Sequence, residues 1–235
     1  MFKLHPTPRR MAHSLRVAAA LLSYPDAALR PHLPEMRSLL RAEQALSAAR
    51  LAELDALISS LERAPALDAE AAYVELFDRG RSTSLHLFEH VHGDSRERGP
   101  ALIDLGQTYA QAGLMLAEGE LPDYLPAVLE FASTLEPDKA RAFLAEMAHI
   151  LNAIFGALAE RGSAYASVLG ALLDLAGDKA MPVAPKAAEA LDDSWAEPIA
   201  FDGCSTAGQA RPGQPQPVHV IRNSSRPNAL PGAHA

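Results

Sequence analysis

Leu51-Ala-Glu-Leu54-Asp-Ala-Leu-Ile58-Ser-Ser-Leu61-Glu-Arg63 puts Leu51, Leu54, Ile58 and Leu61 at positions 0, +3, +7 and +10, with Glu53, Asp55, Glu62 and Arg63 between them. Those steps follow one side of a 3.6-residue helix and leave the charges on the other, so the segment reads as a helix with a buried and a wetted face. Outward from it the same period predicts helices over 11–23, 34–44 and 67–79, beside 47–63 itself, with Pro31 and Pro34 breaking the chain before the second. A helix starting at Pro100 carries Leu102, Leu105, Tyr109, Ala112 and Leu116 on one stripe and ends at Gly119. Asp123 is placed to cap a short helix through Leu135. Beyond Pro137-Asp138, the run Phe143, Met147, Ile150, Leu151, Ile154, Leu158 predicts one long helix closed by Gly162, and a last helix covers 163–176. Nowhere do β-branched residues alternate with polar ones over a strand's length. The expected fold class is all-α: a single-domain helical bundle over 1–178, an extended segment over 179–205 in which Trp195 docks, and a disordered tail over 206–235.

With 235 residues, 49% apolar and 21% charged, the chain can bury a core without staples, and its 6% aromatic content with abundant Ala and Leu favours helix. A net charge of −8 argues against general affinity for nucleic acid or anionic lipid and suits a basic partner segment. The single cysteine, Cys204, excludes an internal disulfide and a multi-cysteine metal site. Arg9-Arg10 ahead of Val17–Leu22 resembles a twin-arginine export signal only superficially. Arg16 interrupts the apolar run, and Tyr24-Pro25-Asp26 closes it without a cleavage site. No run approaches the roughly 18 apolar residues of a membrane span. The expected location is cytoplasmic, with no direct membrane insertion.

Two segments lie outside the helical pattern. One is the acid-free stretch from Gly203 to Ala235, rich in Pro and Gly. The other, Gly80 to Gly99, reads GRSTSLHLFEHVHGDSRERG and is dense in His, Arg and acids. His86, His90 and His92 beside Glu89, with Asp104 downstream, suggest a metal-dependent hydrolase as an alternative, but a shared helical face is needed and Gly93 argues for a helix end there. Carboxylates for acid/base work are interleaved with Arg79, Arg81, Arg96 and Arg98, and so read more simply as ion-paired. There is no Gly-x-Ser-x-Gly elbow and no glycine-rich phosphate loop. The chain is read as a non-enzyme with no catalytic residue, no bound metal and no cofactor.

At this loop, Tyr73-Val-Glu-Leu-Phe-Asp-Arg-Gly-Arg-Ser-Thr-Ser-Leu85 and Leu87-Phe-Glu-His-Val-His-Gly-Asp-Ser-Arg-Glu-Arg-Gly99 closely resemble the respiratory nitrate reductase assembly chaperones, the NarJ type or delta subunit. Further similar stretches are Leu21–Asp26, Asp104-Leu105 with Tyr109, Gly113-Leu114, Glu120-Leu-Pro-Asp-Tyr-Leu-Pro126, Leu129–Phe131, and Leu191–Glu197 followed by Phe201 and Cys204. The resemblance implies an all-helical protein of the redox-enzyme maturation chaperone group. Its implied partner is the apo catalytic (alpha) subunit of nitrate reductase, bound at its N-terminal segment, with molybdenum cofactor delivery proteins as further partners and no nucleic acid. Such a chaperone permits cofactor insertion, delays membrane docking, and then leaves. The partner-binding residues expected on this basis are Asp78, Arg79, Arg81, Glu89, His90, His92, Asp94, Arg96, Arg98, Asp104, Tyr109, Glu120, Pro122 and Asp123. One departure is Tyr124, where the family often has His after Pro-Asp; tyrosine keeps a ring and one polar atom but not the charge switch near neutral pH.

Overall fold

Ser47 caps the diagnostic helix, its Oγ accepting from the Arg50 amide at 3.2 Å, and the stripe buries Leu54, Ile58 and Leu61 together with Leu57. The structure, a computed structural model, describes residues 10–93 and 95–181. Among them the helices are α1 (Ala12–Leu22), α2 (Leu33–Glu43), α3 (Ala48–Arg63), α4 (Ala66–Phe77), α5 (Leu87–Val91), α6 (Arg98–Gln111), α7 (Leu125–Ser133), α8 (Pro137–Glu146), α9 (Ala148–Glu160) and α10 (Ala166–Ala176). Short 3-10 turns occupy Arg30–His32 and Arg81–Thr83, and the one extended pairing among the described residues is an antiparallel bridge between His86 and Tyr124. The all-α expectation holds. All described residues fall in one compact unit, while Trp195, Cys204 and the segments read as extended and disordered lie outside the described residues apart from 179–181.

The core is organised around α10, buried almost throughout, which packs on α8, α9, α3 and α1. Alanines on α1 let it lie close against α7. No residue next to α1 caps it. Instead the Glu43 carboxylate at the end of α2 accepts from the His13 and Ser14 amides at 2.9 and 2.7 Å, which satisfies two of the orphan donors of the first turn. Arg50 ties α3 to Asp174 of α10 at 2.9 Å.

Three expectations are corrected. The stripe from Phe143 to Leu158 is continuous in phase, but it belongs to two helices that bend by 65° at Met147, which allows both Leu144 and Leu151 to reach the buried layer around α10. The helix begun near Pro100 ends at Gln111 rather than Gly119: Gly113 adopts φ +80°, and the Leu114 amide bonds back to the Tyr109 carbonyl at 2.9 Å, a left-handed closure that glycine permits. Asp123 does not cap the helix that follows it; the N-cap of α7 is Tyr124, with no side-chain hydrogen bond. No single described helix is long and apolar enough to cross a membrane.

Candidate functional site

The His/Arg loop and the Glu-Leu-Pro-Asp turn meet. The Leu87 amide donates to the Asp123 carbonyl at 3.0 Å and the Leu125 amide to the Leu85 carbonyl at 2.8 Å, which clamps 85–87 against 123–125. Through this clamp Asp123, 0% exposed, reaches another helix: its Oδ2 accepts from the Phe88 amide at 3.1 Å at the start of α5, a segment with no local cap. His86 Nδ1 faces Asp123 Oδ1 at 3.4 Å, and Arg98 Nη2 stands 3.7 Å from Oδ2 while also bonding Glu89 Oε1 at 3.4 Å. Burial opposes ionisation of Asp123, yet His86, the Phe88 amide and Arg98 together outweigh it and hold the carboxyl below its ordinary range. Reciprocally, the hydrogen bond that His86 donates to Asp123 raises the imidazole, against its own desolvation.

The expected partner-binding residues divide by placement. Asp123, Pro122 and Tyr109 are interior: the Tyr109 hydroxyl donates to the Pro122 carbonyl at 2.8 Å, and its ring lies 4.8 Å from that of Phe131. Glu89 and Arg98 form a half-buried pair above Asp123. His90 Nε2 donates to the Ser84 carbonyl at 2.8 Å, and the His92 ring abuts Phe88. Asp78, Arg79, Arg81, Arg96, Asp104 and Glu120 are exposed, Arg79 in an ion pair with Glu75 at 2.8 Å. Asp94 lies outside the described residues. The imidazoles of His86, His90 and His92 thus have separate partners, and no group of three or more potential ligands gathers among the described residues. Purified protein is expected to carry no stoichiometric transition metal and to melt at the same temperature with a chelator; elemental analysis and a thermal scan check this, and about one zinc per chain would overturn it.

Sequence spacing missed what flanks the clamp. On one side, Leu114, Met115, Leu116 and Glu120 face Ala127, Glu130 and Phe131 of α7 across a groove of about 380 Å³. The surrounding excursion carries apolar groups open to solvent, with Met115 91% and Ile103 62% exposed, and Val91 and Leu121 likewise exposed; α6 buries only Tyr109. On the other side, Tyr24, Tyr73, Phe77, Asp78, Ser84, Leu85, His86 and Tyr124 surround a cavity of about 220 Å³. The Tyr73 hydroxyl donates to the Leu22 carbonyl at 2.7 Å and accepts from the Tyr124 hydroxyl at 3.3 Å. The Tyr124 ring lies 5.3 Å from the His86 ring, so an imidazole from the loop adjoins this tyrosine. The available signal is Tyr73 and Phe77 at i and i+4, a spacing that equally serves the core, where both are buried.

The family model described as nitrate reductase delta subunit matches residues 41–169, which include both strands of the clamp. The nitrate reductase molybdenum cofactor assembly chaperone NarJ of Escherichia coli (strain K12) is 43% identical over 193 residues, covering 78% of this chain and 82% of that protein. A protein of Bacillus subtilis (strain 168), named probable nitrate reductase molybdenum cofactor assembly chaperone NarJ, is 34% identical over 72% of this chain and 90% of its own length. The nitrate reductase-like protein NarX of Mycobacterium tuberculosis (strain ATCC 25618 / H37Rv) is 35% identical over 72% of this chain, which corresponds to 25% of that longer protein. With the family model spanning more than half its length and relatives at this identity covering most of it, the chain belongs to the nitrate reductase delta subunit family.

Proposed function

We propose that this protein is a nitrate reductase molybdenum cofactor assembly chaperone that works in the cytoplasm, holds the N-terminal segment of the apo catalytic subunit while the cofactor is inserted, and so delays membrane docking. The observation that carries the reading is that the excursion from 88 to 122, whose longest helix buries only Tyr109, exposes Val91, Ile103, Met115 and Leu121 and carries the exposed charges Arg96, Asp104 and Glu120 along the same stretch. Exposed apolar groups interspersed with charge on one excursion favour an amphipathic partner, whose apolar side the former cover and whose charged side the latter register. Binding needs no covalent step; release follows when the folded, cofactor-loaded client no longer presents the segment. In this reading the interior members of the expected site, Asp123, Pro122 and Tyr109, act by holding the surface in shape, and the exposed ones touch the client.

Calorimetric titration of a synthetic peptide with the client's N-terminal sequence tests it. Ile103→Ser and Met115→Ser are each expected to weaken binding by about fivefold to tenfold, since partial burial of one such side chain contributes about 1–1.4 kcal/mol. Arg96→Ala should weaken it less, and more at low salt than at high, because exposed charges are screened. All three should melt within a degree or two of the parent. A peptide that binds every variant as it binds the parent would remove the excursion from the site; a peptide that does not bind the parent would remove the proposed client segment.

A further inference from the structure

We propose that the cavity enclosed by Tyr24, Tyr73, Phe77 and Tyr124 is a socket for one arginine side chain of the bound polypeptide, with Asp78 as its counter-ion. The client reading above supplies the polypeptide; the socket itself is argued from the chain alone.

Size comes first. A cavity of about 220 Å³ falls below the roughly 300–1,000 Å³ of small-molecule pockets and is on the scale of a single side chain. Its walls are mostly rings. Tyr24 meets Tyr73 edge to face, with centroids 5.7 Å apart, Phe77 lies 4.7 Å from Tyr73, and Tyr124 completes the ring set against His86. The Tyr73 and Tyr124 hydroxyls are already engaged with each other and with the Leu22 carbonyl, while Tyr24 donates to Glu70 at 3.0 Å. What remains for an occupant is aromatic surface, which attracts cations through the ring quadrupole and suits a planar guanidinium that also stacks.

Charge then selects the sign. The Asp78 carboxylate lines the cavity and is exposed, and it has no hydrogen bond or ion pair among the described residues. The hydrogen bond to Glu70 at Tyr24, and burial at Tyr73 and Tyr124, are the main causes that oppose ionisation of these hydroxyls, and Asp78 is near enough to add a smaller share at all three. Of the cations beside it, Arg79 pairs with Glu75 and His86 with Asp123, while the Arg161 guanidinium lies against Gly80, outside the cavity lining. An anion here would meet uncompensated carboxylates. A purely apolar occupant would strip water from Asp78 without replacing it.

Tyr24 also borders a second hollow, of about 410 Å³, along the outer side of α4, where Leu67, Ala71 and Val74 follow at i, i+4 and i+7 and Leu67 is 77% exposed. An arginine in the socket therefore has apolar wall beside it for its neighbours in the same segment. Helical spacing puts Tyr73 and Phe77 on one face of α4, but no spacing rule brings Tyr24 and Tyr124 to them.

The test has two independent arms on the full chain. In the first, N-acetyl-arginine amide and its neutral citrulline analogue are titrated while the ring resonances of Tyr24 and Tyr124 are followed. A saturable millimolar shift is expected with the arginine compound alone, and it should vanish in Asp78→Asn and in Tyr24→Leu, both of which should melt like the parent. Equal shifts with both compounds, or none with either, overturn the socket whatever the peptide does. In the second arm, each arginine of the client peptide is replaced singly by citrulline. One replacement is expected to cost about tenfold in affinity on the parent and nothing further on Asp78→Asn; if every replacement adds in full on Asp78→Asn, the socket does not hold the client. A peptide that fails to bind while the arginine compound binds leaves the socket standing and sinks the client reading.

Discussion

Asp123→Ala is expected to destabilise the fold by about 3–5 kcal/mol, the range seen when one member of a buried charged group is removed and its partners are left behind. The substitution orphans the Phe88 amide at the start of α5, leaves Arg98 with Glu89 alone, and removes the hydrogen-bond partner of His86. Asp123→Asn, which keeps an acceptor for Phe88 but no charge, should fall between parent and alanine. Stability against pH gives the sign of each part. Asp123 has a lowered folded pKa, so its contribution is complete above the ordinary value of 3.8 and is lost as pH falls through the folded value beneath it. His86 has a raised folded pKa, so its contribution is complete below 6.5 and is lost as pH rises through the folded value above it. Urea unfolding from pH 3 to 8 should therefore show the pair contributing most between those two ordinary values, and in Asp123→Asn the upper limb should move back toward 6.5. An alanine variant that loses less than about 1 kcal/mol, or a profile unchanged by Asp123→Asn, would show that the carboxylate does not hold the clamp.

Leu151→Ala should cost about 2–5 kcal/mol, because Leu151 is fully buried in α9 where that helix packs on α10, and a leucine deleted from such a site loses both its transfer free energy and the cavity it leaves. The comparison that gives this force is Arg96→Ala, exposed in the turn before α6 and expected to stay within about 0.5 kcal/mol of the parent. Urea unfolding of both, followed by circular dichroism, separates core from surface. If Leu151→Ala unfolds at the parent's midpoint, the α9–α10 layer is not the core described above.

Much of the helix inventory was legible because local signals coincide with it. α3 begins and ends within a residue of the pattern, with Ser47 as its cap, and α1, α2 and α4 are comparably close. The misreadings share a cause. Leu116 extended the stripe of α6 past Gly113, where the backbone turns left-handed, so periodicity outlasted the helix. Met147 keeps the apolar phase while the axis turns by 65°, and a phase carries no record of a bend. Asp123 stands where a local cap would stand, but its carboxylate serves Phe88, far back in the chain, and no spacing rule pairs the two. The aromatic cavity is harder still, since its walls come from the end of α1, from α4 and from the residue before α7. Resemblance drew attention to the charged loop and the Pro-Asp turn, which the fold sets side by side; only the fold shows that some of those residues face inward and others outward.

The antiparallel clamp between 85–87 and 123–125 has an evolutionary corollary. Residues 88–122 leave the body and return to it at one point, so their two ends stay fixed relative to each other whatever lies between them. Closing a longer or shorter excursion at the same root changes the closure entropy only logarithmically with length. Insertions, deletions and changes at the exposed positions of that stretch, away from Arg98 and Tyr109, are therefore expected to leave the register of α7 through α10 untouched, so this surface can diverge in the lineage without the scaffold having to be refolded.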